Sequence, residues 1–173
     1  MTTTERLPLP SKLGLLAALG SGALLGGAYY FQYVVGLPPC DLCYWQRWPH
    51  MAAIAAGLAA LAAFARPRLA LVFLLVAITA LMATAAVGVF HAGVEYGFWP
   101  GPQACSGAIP RGLSAEELRR YLFNARMVRC DQVAWSMWGI SMAGWNAILS
   151  AALAFVLASG VTGGVAGWGR SRR

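Results

Sequence analysis

The sequence predicts an all-α integral membrane protein, a four-helix bundle with one long outer loop. Charged residues make up only 11% of the 173 residues, against about 25% in ordinary soluble domains. Hydrophobic residues make up 59%, and the few charges bracket four uncharged intervals that can each hold a helix of about 20 residues crossing the hydrocarbon layer. We therefore expect a single membrane domain over residues 1–173. This composition excludes a disordered chain, a nucleic-acid-binding basic domain and most soluble enzymes.

The predicted spans cover residues 13–35, 44–65, 69–91 and 137–159. The first span is longer than the apolar core of a secretory signal peptide and ends in aromatic residues, which favours an uncleaved helix. Within it, Gly22 and Gly26 form a pair of small residues that permits close helix packing.

The basic residues of the short connections predict the orientation of the bundle. They lie at both termini and between the second and third spans: Arg6, Lys12, Arg66, Arg68, Arg170, Arg172 and Arg173. Four spans bring them to one side, which we expect to be cytoplasmic together with both termini. The outer side receives the loops 36–43 and 92–136, which hold all four cysteines of the chain. Disulfides persist on an oxidising outer side.

The long outer loop contains one predicted helix. Ser114 and Glu117 form a capping-box pattern before a helix at about 115–125. Its apolar side chains on one face are Leu118, Tyr121 and Leu122. A short helix of this kind rests on the membrane surface or packs on protein, and the sequence leaves both open.

The first chemical motif is Cys40-Asp41-Leu42-Cys43, which follows two prolines at the start of the second span. Two cysteines at this spacing near a helix N-terminus favour a thiolate, and Arg47 lies one helical turn after Cys43. A disulfide within C-x-x-C closes too small a loop to constrain the unfolded chain much. The pattern therefore favours redox chemistry. The alternatives are a structural bridge and an Arg47 that only reaches for lipid headgroups.

The second pair of cysteines is Cys105 and Cys130. On its own, a bridge of that loop length contributes about 3–4 kcal/mol and is structural. Beside an outer-facing C-x-x-C motif, exchange between two disulfides by thiolate attack becomes the favoured interpretation. We expect no metal, because the chain lacks a second close pair and neither His50 nor His91 has a ligand spacing. His50 is predicted at the membrane interface, and His91 beside a lipid-soluble cofactor or headgroups.

These features together resemble one family. The motif from Cys40 to Arg47, the four spans, His91, the distant cysteine pair and the segment from Trp138 to Trp145 are similar to the disulfide bond formation protein B (DsbB) family, over roughly residues 13–160. Members often carry Glu before the arginine, where this chain has Gln46. The resemblance implies a bacterial inner-membrane enzyme, a quinone-dependent protein thiol oxidase.

The resemblance also implies a route for electrons. The thiolate of a periplasmic DsbA-type thioredoxin-fold oxidase attacks Cys105 of a Cys105–Cys130 disulfide, and Cys130 then attacks Cys40. Cys43 is released beside a quinone from the membrane pool, with ubiquinone expected first and menaquinone second. The implied quinone contacts are Cys43, Arg47, His91 and Met142.

Three other functions remain as alternatives. A vitamin K epoxide reductase-like enzyme also has four helices and two cysteine pairs, but its C-x-x-C motif commonly lies late in the chain. A non-catalytic scaffold would hold inert disulfides, which thiol trapping distinguishes from a cycling enzyme. A small transporter needs buried ionisable groups near the midplane of its spans. The predicted spans contain no such groups near their midplane.

Overall fold

Five helices and one short hairpin make up the described part of the chain. The structure is a computed structural model that describes residues 7–102, 112, 114–124 and 128–171, without the side chains of 118, 121–124 and 164–171. Its elements are α1 (Leu9–Tyr33), α2 (Asp41–Ala62), α3 (Pro67–Glu95), α4 (Ala115–Asn124), β1 (Ser136–Met137), β2 (Ile140–Ser141) and α5 (Met142–Ser171). The long helices α1, α2, α3 and α5 pack into one bundle, so the predicted all-α fold is confirmed.

Prolines define where two of the long helices begin. Pro8 is the N-cap of α1, and Pro67 is the first residue of α3. Proline suits the start of a helix because the first backbone N–H groups have no partner within the helix. Residues 63–66 connect α2 to α3 in a short turn, which makes these two helices antiparallel neighbours.

Small residues allow the helices to approach one another closely. A Cβ atom on Gly57 of α2 would lie 2.5 Å from the backbone oxygen of Gly14 in α1, so only glycine fits there. The predicted pair Gly22 and Gly26 is not used in this way, because no described atom lies within 4 Å of a Cβ built at either position. The core between the helices contains Ala17, Ala53, Ala56, Ala60, Leu74, Ala77, Leu81, Ala154 and Leu157.

Three helices are long and apolar enough to cross a membrane, judged over the described residues. They are α1, α3 and the Met142–Gly163 part of α5. The second predicted span, α2, falls outside this group because its first half carries several polar residues. Gln46, Arg47 and His50 of that half are buried inside the bundle. The chain is a multi-pass membrane protein, and α2 is the bundle's polar member.

The bounds of two spans differ from the prediction in ways that shape the site. The third helix ends at Glu95 rather than at residue 91, which brings Glu95 into the bundle instead of the outer loop. The last helix begins at Met142 rather than at residue 137, because a hairpin precedes it. The hairpin turn consists of Trp138 and Gly139, both with positive φ (54° and 77°), as a tight two-residue turn requires.

Tyr96 fixes this hairpin to the end of α3. The Tyr96 hydroxyl donates to the Gly139 carbonyl at 2.9 Å and accepts from the Ser141 N–H at 2.9 Å. The Ser141 hydroxyl accepts from the Gly144 N–H at 3.2 Å, which is the N-cap pattern for the first turn of α5. The hairpin thereby sets the start of α5 against the end of α3.

The outer helix α4 begins as predicted. The Ser114 N–H donates to Glu117 Oε2 at 2.9 Å and the Glu117 N–H donates to Ser114 Oγ at 3.3 Å, which completes the capping box. The side chains predicted to form its apolar face lie outside the described residues: Leu118, Tyr121 and Leu122. Its position on the membrane surface stays a prediction.

Candidate functional site

The C-x-x-C motif occupies the start of α2, as predicted. Cys40 is the N-cap residue, and its sulfur accepts a hydrogen bond from the Cys43 N–H at 3.3 Å. The two sulfur atoms are 2.8 Å apart, and both cysteines are free. Cys40 is buried, while Cys43 is half-buried in the first helical turn. The amide groups of a helix start favour negative charge, so this position suits a thiolate.

The two thiols of this motif differ in acidity. The hydrogen bond from Cys40 lowers the pKa of Cys43, and the charge of Arg47 lowers it further. The same hydrogen bond to Cys43, together with burial, raises the pKa of Cys40. These opposite directions favour the thiolate on Cys43 and the proton on Cys40. Both residues precede the predicted span that begins at residue 44.

Arg47 lies inside the bundle rather than at the headgroups. It is only 6% exposed, and its guanidinium carbon lies 5.0 Å from the Tyr29 ring centroid and 5.1 Å from that of Tyr44. One terminal nitrogen donates to Gln32 Oε1. The Nε atom has no hydrogen-bond partner in the described chain. These contacts disagree with the alternative of an arginine that only anchors the helix to headgroups.

A cavity of about 450 Å³ opens beside Cys43. All four long helices and the residues before α5 form its wall, which is mostly apolar. Cys43, Arg47, His91 and Met142, the four residues predicted to contact a quinone, all line it. Cys40 is not among the described residues of the wall. The cavity therefore reaches one thiol of the pair, the more acidic one.

The orientation of Gln46 determines which ring nitrogen of His91 carries hydrogen. Gln46 Nε2 donates to the Leu42 carbonyl at 3.2 Å, and Gln46 Oε1 accepts from Asn146 at 2.8 Å. The same Nε2 lies 2.7 Å from His91 Nδ1, which must then be the acceptor. Neutral His91 therefore carries its hydrogen on Nε2, the atom 3.4 Å from Cys40 Sγ. This N–H is placed to stabilise negative charge on that sulfur.

The network continues through Asn146 into the centre of the bundle. The Asn146 side-chain N–H donates to Thr84 Oγ1 at 3.1 Å, and Asn146 Oδ1 accepts from His50 Nε2 at 2.8 Å. The other ring nitrogen of His50 lies 2.7 Å from Ser21 Oγ. His50 is 3% exposed, so its side chain faces the inside of the bundle, and its predicted place at the membrane interface stays a prediction. The network links α1, α2, α3 and α5.

Residues 10–160 match the family model of the disulfide bond formation protein DsbB. The chain belongs to the DsbB family. Disulfide bond formation protein B 2 of Pseudomonas savastanoi pv. phaseolicola is 30% identical over 159 residues, which cover 83% of each chain. Disulfide bond formation protein B of Stutzerimonas stutzeri is 31% identical over 147 residues, 82% of this chain and 88% of that protein. No solved structure matches the chain.

The DsbB match confirms the resemblance and decides the general class of activity. The chain is a disulfide-bond-forming membrane protein, a disulfide oxidoreductase in general terms. The vitamin K epoxide reductase-like alternative, which rested on shared architecture alone, is not the family found. The roles assigned to single residues stay predictions, supported by the geometry above.

The second cysteine pair is described only in part. Cys130 is disulfide-bonded and fully buried, and it packs with Cys40 and Leu42 in one apolar cluster. The backbone of Cys130 also forms a hydrogen bond with the His91 ring. Cys105 lies outside the described residues, so its bridge to Cys130 stays a prediction. The predicted transfer from Cys130 to Cys40 agrees with their place in one cluster.

The structure groups Cys40, Cys43 and His91 with their ligand atoms within 4.8 Å of one another. Sequence spacing missed this group, because His91 belongs to another helix. Structural zinc takes four ligands, and the hydrogen on His91 Nε2 leaves that atom without a lone pair for a metal. The arrangement favours thiol chemistry, and the absence of a metal stays our expectation.

Sequence reasoning also missed two polar residues of the site. Asn146 and Glu95 line the cavity, but neither belongs to a recognisable motif. The one signal for Glu95 was its spacing from His91, one helical turn later on the same face. Asn146 stood in a long apolar stretch, where a polar side chain indicates a partner inside the bundle.

Proposed function

We propose that this DsbB-family protein is a quinone-dependent protein thiol oxidase that reoxidises a periplasmic DsbA-type thioredoxin-fold dithiol oxidase. The observation that carries the proposal is the position of the Cys43 sulfur on the wall of an apolar cavity, with Arg47 beside it. A thiol that passes electrons to a lipid-soluble acceptor needs such an opening. A structural disulfide or an inert scaffold does not.

The residues of the cavity fit a quinone. Its wall is mostly apolar, and Met142 offers an adaptable side chain to a flat ring. The buried Arg47 Nε has no partner in the described chain, and its N–H suits a quinone carbonyl oxygen. A bound quinone accepts two electrons and two protons from a dithiol. Ubiquinone is our first candidate and menaquinone the second, since both offer this chemistry.

The cysteines relay the oxidation by disulfide exchange. The partner's thiolate attacks Cys105, which breaks the Cys105–Cys130 bond, and Cys130 then attacks Cys40 and releases Cys43 as a thiolate. The place of Cys130 and Cys40 in one buried cluster supports this order, as does the lowered pKa of Cys43, which makes it the better leaving group. The His91 N–H stabilises the Cys40 sulfur when it becomes charged.

The energetics require a strong terminal oxidant. A DsbA-type partner has a reduction potential of about −120 mV, and each 30 mV of a two-electron couple corresponds to about 1.4 kcal/mol. Only an acceptor of high potential draws electrons from such a partner. A quinone dissolved in the bilayer meets this need. The four-helix bundle places Cys43 where it can reach a quinone in the membrane.

Arg47 provides the first test. Loss of a charged hydrogen-bond donor costs about 1.5–3 kcal/mol, so Arg47→Met should raise the KM for quinone about tenfold to a hundredfold and lower kcat. Arg47→Lys keeps the charge and should retain more activity. The assay is steady-state oxidation of a reduced DsbA-type partner at varied short-chain ubiquinone concentration. Arg120→Met, at an exposed position, is the control. Wild-type kinetics in folded Arg47→Met protein would contradict the role.

A further inference from the structure

Two buried polar atoms have no hydrogen-bond partner within the described residues: Arg47 Nε and Glu95 Oε2. Native structures leave few such atoms, because an unpaired buried polar group is costly. Both residues line the same cavity. An occupant of that cavity would therefore supply the missing partners of both.

Glu95 is placed for a role that the proposed relay does not use. It is the last residue of α3, and its side chain is only 5% exposed. Its Oε1 lies 3.9 Å from His91 Nε2, and the Ser141 hydroxyl contacts the carboxyl group. Its second oxygen is the unpartnered one.

The other titratable side chains of the described cavity wall already have their hydrogen-bond partners. The titratable side chains there are Cys43, His50, His91 and Glu95, with Arg47 as the fixed cation. His50 uses both ring nitrogens, towards Ser21 and Asn146. His91 uses both as well, towards Gln46 and Cys40. Glu95 alone among these keeps a buried oxygen free to donate or accept.

We propose that Glu95 is the acid–base group that exchanges a proton with a ring oxygen of the quinone. A quinone offers only acceptor oxygens, whereas a quinol offers two O–H donors. Arg47 can only donate. A carboxyl group donates when protonated and accepts when ionised, so Glu95 can pair with the quinone in one state and with the quinol in the other.

The reaction needs one proton more than the reduced cysteine pair supplies. The reduced pair brings one thiolate, Cys43, and one thiol, Cys40. Forming the Cys40–Cys43 bond sends two electrons to the quinone and frees the proton of Cys40. Quinol formation needs two protons, and protonated Glu95 supplies the second. The Glu95 carboxylate then regains a proton from water on the outer side of the membrane, which replaces the one that Cys43 released on ionising.

This inference rests on the proposed function, and binding measurements test it without turnover. A background of Cys40→Ala and Cys43→Ala removes the thiols that would titrate or react. The affinities of a short-chain ubiquinone and of its quinol are measured between about pH 6 and pH 9 by quenching of tryptophan fluorescence. Once Glu95 ionises, the ratio of quinone affinity to quinol affinity should fall about tenfold per pH unit, as linkage to one proton requires.

Glu95→Gln should make this ratio independent of pH, since the amide keeps the size of the side chain but does not titrate. Glu116→Gln, at an exposed acidic position in α4, should keep the dependence of the parent. An unchanged pH dependence in Glu95→Gln overturns the inference, as does its loss in Glu116→Gln. If neither quinone nor quinol binds the parent protein, the proposed function itself fails.

A second measurement needs no substitution of Glu95. Calorimetry of the same parent protein in buffers of different ionisation enthalpy counts the protons taken up or released with each ligand. The quinone complex should hold more protons than the quinol complex, and the largest difference across the pH range should approach one proton. Equal proton counts in the two complexes across the pH range overturn the inference even if Glu95→Gln does not fold.

Discussion

At the scale of residues, one hydrogen bond separates the chemistry of two thiols in the same motif. Cys40 caps α2 with its sulfur, and Cys43 lies within the first turn, where the helix start and Arg47 both favour a thiolate. The His91 N–H faces the Cys40 sulfur on the other side. Each sulfur therefore has its own source of charge stabilisation, which suits a pair that repeatedly breaks and reforms a disulfide.

The acidity of Cys43 is testable by its rate of alkylation. In reduced Cys105→Ser and Cys130→Ser protein, iodoacetamide should modify Cys43 at a pH below that of an ordinary thiol, whose pKa is about 8.5. Cys40→Ala should raise the pKa of Cys43 more than Arg47→Met, because the hydrogen bond from Cys40 is the larger cause. Cys40→Ser keeps a hydrogen-bond donor and should shift the pKa of Cys43 least. A larger shift in Arg47→Met would contradict this order.

At the scale of elements, the long helices combine close apolar contacts with one buried polar network. Glycines bring α1 and α2 together where any side chain would collide with backbone. The network from Cys40 to Ser21 crosses all four long helices. Such a network is satisfied only when every helix is in register, so it fixes the position of Cys43 relative to the cavity.

Matched glycine substitutions test the contact between α1 and α2. Gly57→Ala would place Cβ 2.5 Å from the Gly14 oxygen and should destabilise the protein by about 1–3 kcal/mol through overpacking. Gly22→Ala meets no described atom within 4 Å and should be neutral or stabilising by up to about 1 kcal/mol, since alanine is the better helix former. Thermal unfolding in detergent measures both. Equal effects of the two substitutions would show that the contact is misplaced.

The sequence predicted the spans and the motif of α2 because charges and prolines mark them directly. It did not predict the hairpin at residues 136–141, whose strands have two residues each and thus no periodicity to detect. It predicted Glu95 in the outer loop because charged residues mark the ends of the apolar intervals. The burial of His50 depends on Ser21 and Asn146, which are distant in sequence, and a single sequence does not show such pairs.

At the scale of the whole molecule, the chemistry lies at one end of the bundle. The start of α2, the end of α3 and the hairpin before α5 meet there. Arg66 in the connection between α2 and α3 and Arg68 in the first turn of α3 lie at the opposite end. By the positive-inside rule, we expect that end to be cytoplasmic. In that orientation, the site would have access to both a periplasmic protein and the membrane.

Thiol labelling in intact cells tests this orientation. Single-cysteine variants that keep one of Cys40, Cys43, Cys105 or Cys130 should react, after reduction, with a membrane-impermeant maleimide added outside. The buried Cys40 and Cys130 should react more slowly than the others unless mild denaturant is present. A cysteine introduced at Arg68 is the control and should react only after lysis. The reverse pattern would contradict the predicted topology, with its cytoplasmic termini.

The central claim is that Cys40 and Cys43 pass two electrons to a quinone, and a single-turnover experiment tests it most directly. Quinone-free Cys105→Ser and Cys130→Ser protein is reduced, freed of reductant and mixed anaerobically with a substoichiometric amount of ubiquinone. Free thiols and the quinone absorbance are then followed together. The account predicts that two thiols disappear for each quinol formed, with Cys40 and Cys43 joined in a disulfide. Quinone binding to folded protein without loss of thiols would contradict it.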